Sequence, residues 1–216
     1  MPLPKIISSI TLAMAVVASL LLSSCATKLD INESKMIVSV KDQKMLLTQF
    51  GKPVKSYPIS TSKFGLGDTP NSMRTPLGTM KVAKKIGRRQ PVGAVFKSRH
   101  PTGEVIKPNA PGRDPIITRI IWLKGTEKRN KNAFRRYIYI HGTPEESRLG
   151  HKASYGCIRM ASHDILDLYR RIGKNADVTV IRGSLTNTLS GMRYALMAKD
   201  EKKASKKQSE ATKDKA

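Results

Sequence analysis

The chain has 216 residues, enough for one well-buried domain with tails and too few for two full domains. Its 40 Lys and Arg against 16 Asp and Glu give a formal charge of +24, which suits an anionic partner: nucleic acid, a membrane surface or an acidic polymer. Composition alone ranks nucleic acid first, but no recognisable nucleic-acid-binding module is present and the N-terminus argues for export.

Residues Met1 to Cys25 read as an export signal: Lys5 gives a positive start, Ile6 to Leu22 is mostly apolar, and Ser23-Ser24 precede Cys25. The segment is short for a spanning helix, which needs ~20 strongly apolar residues. Leu22-Ser23-Ser24-Cys25 resembles a bacterial lipobox, whose cysteine is acylated and becomes the mature N-terminus. Ala26 in place of Asp resembles an outer-membrane sorting signal. An ordinary cleaved signal or an uncleaved anchor is the alternative. If Cys25 carries lipid, Cys157, the only other cysteine, has no intramolecular partner, and a lone thiol in an exported setting is a chemical liability.

Residues 26–35 are polar and read as a tether. Period-two alternation predicts strands over Met36–Val40, Met45–Phe50 and Lys52–Ser60, with Lys41-Asp42-Gln43 and Gly51 at the turns. A loop rich in Gly, Ser, Thr and Pro, 61–78, precedes a strand over Thr79–Ile86. Residues 87–115 show no clean period and read as a long irregular connection. Strands follow over Ile116–Leu123 and Arg136–Ile140, then a helix from Ser162 to Ile172 with an apolar stripe, a Ser162 cap and Gly173 as its stop. Asp177–Ile181 is the last strand, and the pattern as a whole gives a β-rich α+β domain. In the tail, 183–216, Leu189, Met192, Leu196 and Met197 suit a short amphipathic helix, and 198–216 is expected to be disordered in isolation.

The most informative run is YIYIHGTPEESRLGHKASYGCIRM, residues 137–160. It sets His141 at the end of an alternating strand and Cys157 sixteen residues later, directly after Gly156. A thiol attacks a carbonyl as thiolate, and a free Cys with pKa ~8.5 is mostly protonated at neutral pH, so it needs a base. Gly156 permits backbone angles closed to other residues and lets a substrate approach the main chain. The amides around Gly156-Cys157 are therefore candidate oxyanion donors. The bland readings are a small buried cysteine, a surface histidine and an ordinary turn glycine. His141, His151, Cys157 and His163 also invite a metal reading. Their separations of nine, five and five intervening residues fit no paired zinc spacing, so no metal is expected. His100 has no assigned role.

The run resembles the active-site signature of the L,D-transpeptidases, the YkuD-like family: His-Gly-Thr, a variable loop, then Ser-x-Gly-Cys-Ile-Arg-Met. Thr75-Pro76-Leu77-Gly78 is similar to that family's Thr-Pro-x-Gly segment. The resemblance covers Met36 to Arg182, taken as the catalytic domain 36–182, and implies a YkuD-like β-sandwich with one helix after the cysteine. It implies that an insertion at 87–115 caps the substrate cleft. It makes Cys157 the nucleophile and His141 the base, and turns Arg159 toward a substrate carboxylate, with Ser154 and Tyr155 lining the same segment. Many members have His where this chain has Tyr155. The implied reaction needs no cofactor: it is peptidoglycan L,D-transpeptidation, with a 3→3 cross-link or attachment to a protein lysine as its outcome. Cys157 attacks the carbonyl of the third residue, meso-diaminopimelate, of a tetrapeptide stem, D-alanine leaves, and an amine resolves the thioester. A hydrolase or amidase of the same fold, or a noncatalytic peptidoglycan-binding lipoprotein, is the alternative. The expected setting is a monomer in the periplasm, lipid-anchored with the outer membrane favoured, with peptidoglycan stem peptides as partner.

Overall fold

The computed structural model describes residues 33–213. The expected signal segment 1–25, the lipidation site Cys25 and most of the tether lie outside the described residues. Among those described, no helix is long and apolar enough to cross a membrane.

Strands β1 (Ser34–Ser39), β2 (Lys44–Gln49) and β3 (Lys52–Pro58) form an antiparallel meander. Strand β4 (Gly78–Ile86) pairs with β10 (Asp177–Ile181), which returns parallel to β1. Strand β7 (Ile116–Gly125) is the hub, hydrogen-bonded to β4, β5 (Ala94–Lys97) and β8 (Tyr139–Gly142). Its run from Ile117 to Leu123 is buried throughout, as expected of a strand covered on both faces. Ile121 and Leu123 point into the main core, which gathers side chains from β1, β2, β4, β8, β10 and helix α1 (Ser162–Arg171). Ile120 and Trp122 point the other way, into a smaller cluster with Ala94, Phe96 and Tyr139. Strands from distant places in one ten-stranded sheet thus bury these two clusters on its opposite faces, and α1 packs over β7 and β8.

Three elements differ from the sequence reading. Residues 87–115 contain a hairpin, β5 with β6 (His100–Val105), where irregular chain was expected. β6 is exposed throughout, so burial imposes no alternation on it, and Ser98 and Arg99 make the turn at positive φ without a glycine. Ile158–Met160 is a further strand, β9, too short to show a period. Residues Leu189–Lys213 form a 25-residue helix, α2, running through the stretch expected to be disordered. Its Ala, Lys, Glu and Gln are strong helix formers, while Leu189, Met192, Leu196 and Met197 stay exposed. Ser162 does not cap α1 with its side chain: its amide is taken by the Glu146 carboxylate at 2.8 Å, and its hydroxyl pairs with Thr118.

Candidate active site

Strands β8 and β9 run parallel in the register Ile140↔Ile158, His141↔Arg159 and Gly142↔Met160. Side chains alternate across a strand, so this register sorts the signature run into two faces. Ile138, Ile140, Ile158 and Met160 enter the main core. Tyr139, His141, Cys157 and Arg159 take the opposite face, where Tyr139 and Cys157 border the second cluster. Extending the register by one residue sets Cys157 across from Tyr139, one pleat repeat from His141 on the same face.

The Cys157 thiol sits at the strand entrance. The Tyr139 amide donates to Sγ at 3.4 Å, and the thiol donates to the Tyr137 carbonyl at 3.4 Å. Burial pushes its pKa up to about 11, opposed by the Tyr139 amide and the charges of Arg159 and Arg136. His141 is 5% exposed, and burial pulls its pKa down to about 4. Its Nδ1 lies 2.9 Å from the Gly142 carbonyl. A carbonyl only accepts, so Nδ1 carries the proton and Nε2 is left with a lone pair. At pH 7 the pair is a neutral thiol and a neutral imidazole, rather than a thiol already lowered by its base.

The segment before Cys157 is braced by two hydroxyls, those of Thr75 and Ser154. Gly156 has φ +117°, a conformation that L side chains rarely adopt. Its carbonyl accepts from Thr75 Oγ1 at 3.0 Å, which ties the Thr-Pro-x-Gly segment to the cysteine loop. Ser154, 1% exposed, donates to the Cys157 carbonyl at 2.6 Å and accepts from the Gly156 amide at 3.3 Å. Ser154 therefore holds the turn. Tyr155 is 56% exposed, its hydroxyl 3.0 Å from Lys63 Nζ and its ring beside Phe64.

Two clefts meet at the thiol. One of about 170 Å³ is lined by Asp114, Ile116, His141, Ser154 and Arg159. The other, about 710 Å³, is lined by Pro70, Met73, Asn132, Arg136 and Tyr137 among others. Tyr155 and Cys157 are the residues common to both.

Arg159 is placed differently from the role the resemblance implies. Its guanidinium is already held by Asp114 at 2.5 Å and Glu145 at 3.1 Å, with its side chain 7% exposed. Thr143 Oγ1 donates to the other oxygen of Asp114. The fork that was expected to take a substrate carboxylate is filled by two protein carboxylates. His151 and His163 line neither cleft, and the His163 side chain is 86% exposed.

Sequence reasoning missed Asp114, Glu145 and the wall of the larger cleft. That wall is pinned by a buried pair, Arg136 with Asp68 at 3.1 Å, and Arg136 also donates to the carbonyls of Gly67 and Arg74. All of these sit on loops, where no periodicity marks a buried charge. The hairpin β5–β6 reaches the same region: Arg99 lies 4.9 Å from the Tyr137 ring and 5.2 Å from that of Trp122.

The β-rich domain brings a buried imidazole and a thiol to the lining of one cleft. The chain belongs to the L,D-transpeptidase catalytic domain family, YkuD, whose pattern matches residues 33–181. Its fold is similar to an L,D-transpeptidase from Mycobacterium smegmatis at 16% identity and TM-score 0.45, covering 69% of this chain and 58% of that one. It is similar to an Enterococcus faecium L,D-transpeptidase at 17% identity and TM-score 0.45, covering 70% of this chain and 50% of that one. A Mycobacterium tuberculosis H37Rv L,D-transpeptidase gives 15% identity and TM-score 0.45, covering 69% and 58%. The chain therefore spans less than two thirds of the length of these structures. A comparison with curated proteins gave no match.

Proposed function

We propose that the protein is a peptidoglycan L,D-transpeptidase that carries an acyl group on Cys157. The observation that supports this reading best is that Cys157 and His141 line one cleft, with Nε2 of His141 free to act as base. On this reading His141 Nε2 takes the thiol proton as sulfur attacks the stem-peptide carbonyl at meso-diaminopimelate. The Gly156 amide is engaged by Ser154, so the Cys157 amide is the donor left for the oxyanion. Collapse breaks the bond to D-alanine, whose nitrogen receives the proton from His141, and leaves a thioester. An acceptor amine then attacks, gives its proton to His141, and displaces the sulfur, which is reprotonated. The two clefts suit separate entry of donor and acceptor.

The setting that goes with this chemistry is a periplasmic lipoprotein acylated at Cys25, facing the wall. Incubating the protein with purified muropeptides and weighing the products tests the reaction. Cross-linked dimers with loss of D-alanine are expected. Tripeptide alone would make it a hydrolase, and unchanged tetrapeptide would refute both. Labelled palmitate in cells making wild type and Cys25→Ala tests the address: label only in the wild type is expected.

A further inference from the structure

A second cavity, of about 590 Å³, opens between α1 and the paired strands β4 and β7 and shares no lining residue with the clefts at Cys157. Five cations line it: Lys85, Arg88, Arg119, Arg170 and Lys174. Among the described residues, none of the five has a carboxylate within ion-pair distance, although the molecule pairs many of its other basic side chains. Arg119 is the decisive member. It is 6% exposed, and its Nε is a buried donor with no partner. Native folds rarely leave such a group unsatisfied, because a buried donor without an acceptor has given up the hydrogen bond it made to water.

The backbone shows how Arg119 comes to point there. The β7–β8 register shifts between Ile117 and Ile120, and Thr118 sits at φ +67°, unusual for a β-branched residue. Arg119 stands two residues before Ile121 and so shares the face that Ile121 and Leu123 turn toward α1, opposite to Ile120 and Trp122 in the second cluster, with the bulge just before it. The Thr118 conformation is held by its hydroxyl, which accepts from the Gly93 amide and pairs with Ser162, each at 2.9 Å. Inside the cavity the compensation is partial. Arg119 rests 5.7 Å from the Tyr169 ring and donates to its neighbour's carbonyl, while Lys85 donates to the carbonyls of Tyr169 and Ile172 at the end of α1. None of these contacts neutralises a charge. Burial pulls both groups below their usual pKa, with Arg88 adding repulsion at Lys85 and Arg170 at Arg119. An ordinary solvated basic face keeps its charged heads in water and has neither a buried guanidinium nor an enclosing cavity.

We propose that this cavity is a binding site for a phosphate-bearing anion, with Arg119 as its buried anchor and Arg88, Arg170, Lys85 and Lys174 around it. Three guanidinium forks and two ammonium groups suit several oxygens of a multiply charged group better than a single carboxylate. A headgroup phosphate and a soluble phosphate share that chemistry.

Calorimetric titration of the purified protein with inorganic phosphate, pyrophosphate and acetate, at matched ionic strength, tests the site. Saturable one-site binding of pyrophosphate, with acetate at least tenfold weaker, is expected. Arg88→Ala/Arg170→Ala, both exposed, should weaken binding by about tenfold or more, from the loss of two charge-assisted contacts. Lys41→Ala/Lys52→Ala, an equal loss of charge elsewhere, should leave it unchanged. Arg119→Met should abolish binding without lowering the melting temperature. Acylation of Cys157 by a carbapenem, retained in the Arg88/Arg170 variant, verifies the fold. Vesicles of phosphatidylglycerol or phosphatidylcholine distinguish the source. Binding of pyrophosphate in solution marks a soluble ligand; binding only to phosphatidylglycerol vesicles, lost in the Arg88/Arg170 variant, marks a headgroup. Equal weakening in the two double variants, acetate binding as tight as pyrophosphate, or no binding to any phosphate probe would overturn the assignment.

Discussion

Arg159 lies directly across the parallel β8–β9 ladder from His141, and its guanidinium is clamped between Asp114 and Glu145. The same ladder sets Cys157 one pleat repeat from His141 on the same face, so the ion cluster and the proposed reactive pair depend on one register. A slip by one residue would turn His141 into the core and Ile140 into the cleft. Arg159 also lies close enough to oppose protonation of His141 and favour the thiolate of Cys157, while Asp114 acts the other way on His141.

This geometry predicts that Arg159→Met is mainly a structural lesion. Removing one partner of a buried charge cluster leaves Asp114 and Glu145 uncompensated and should cost about 3 kcal/mol. Denaturant melts should show that loss, and Arg159→Met/Asp114→Asn should recover part of it. Alkylation of Cys157 by iodoacetamide and its acylation by a carbapenem should fall together. A loss confined to the larger, anionic reagent would instead return Arg159 to a substrate-binding role.

Stability should depend on pH at both ends. His141 has a folded pKa near 4, below the ordinary value of 6.5, so its contribution is present above 6.5 and lost as pH falls from there toward 4. Cys157 is raised from 9.0 to about 11, so its contribution is present below 9 and lost as pH rises toward 11. Each full loss is on the order of 3 kcal/mol. Melting temperatures should be flattest between those limits. His141→Gln should remove most of the acid-side slope near pH 5; if the slope is unchanged, other groups govern it.

The site was legible where the chemistry is local in sequence and illegible where it is assembled from loops. The spacing from His141 to Cys157 survives as a motif because His141 lies on β8 and Cys157 directly precedes β9, with one loop between. The main strands were readable because Met36, Val38, Met45 and Leu47 face one core. The β5–β6 hairpin was not, since its outer strand buries nothing. The partners of Arg159 come from positions 114 and 145, whose separation carries no period. The same holds for Arg119, one basic residue among many until α1 covers its face of β7.

Gly156→Ala should disturb the backbone at Cys157, the proposed nucleophile, without crowding it. A Cβ there would meet the Met73 and Arg74 carbonyls only at ordinary contact, 3.4 Å, so the cost comes from φ +117°. About 2 kcal/mol is expected from that strain, together with slower acylation as the backbone relaxes. Ser154→Ala removes the brace on the same turn and should cost about 1–2 kcal/mol. Its acylation rate should fall by roughly tenfold, one 1.4 kcal/mol step, with the alkylation pH profile unchanged in shape. A Ser154→Ala enzyme with normal rate would mean the turn is rigid without that hydroxyl.

The sharpest test of the reactive pair follows from its neutrality. General-base attack needs neutral imidazole and neutral thiol together, which coexist between the pKa of about 4 at His141 and that of about 11 at Cys157. Carbapenem acylation should therefore be nearly level through neutral pH and fall below 4 as the imidazole gains a proton. In His141→Ala only the thiolate reacts, so the rate should climb about tenfold per pH unit until the thiol has ionised. At pH 7 the variant should be slower by about 10²–10⁴-fold. Cys157→Ala should form no adduct by intact-protein mass spectrometry, and Cys157→Ser almost none, since one imidazole ionises a hydroxyl far less readily. A level profile in His141→Ala would remove His141 as the base. An adduct on Cys157→Ala would remove the nucleophile, and the acyl-transfer reading with it.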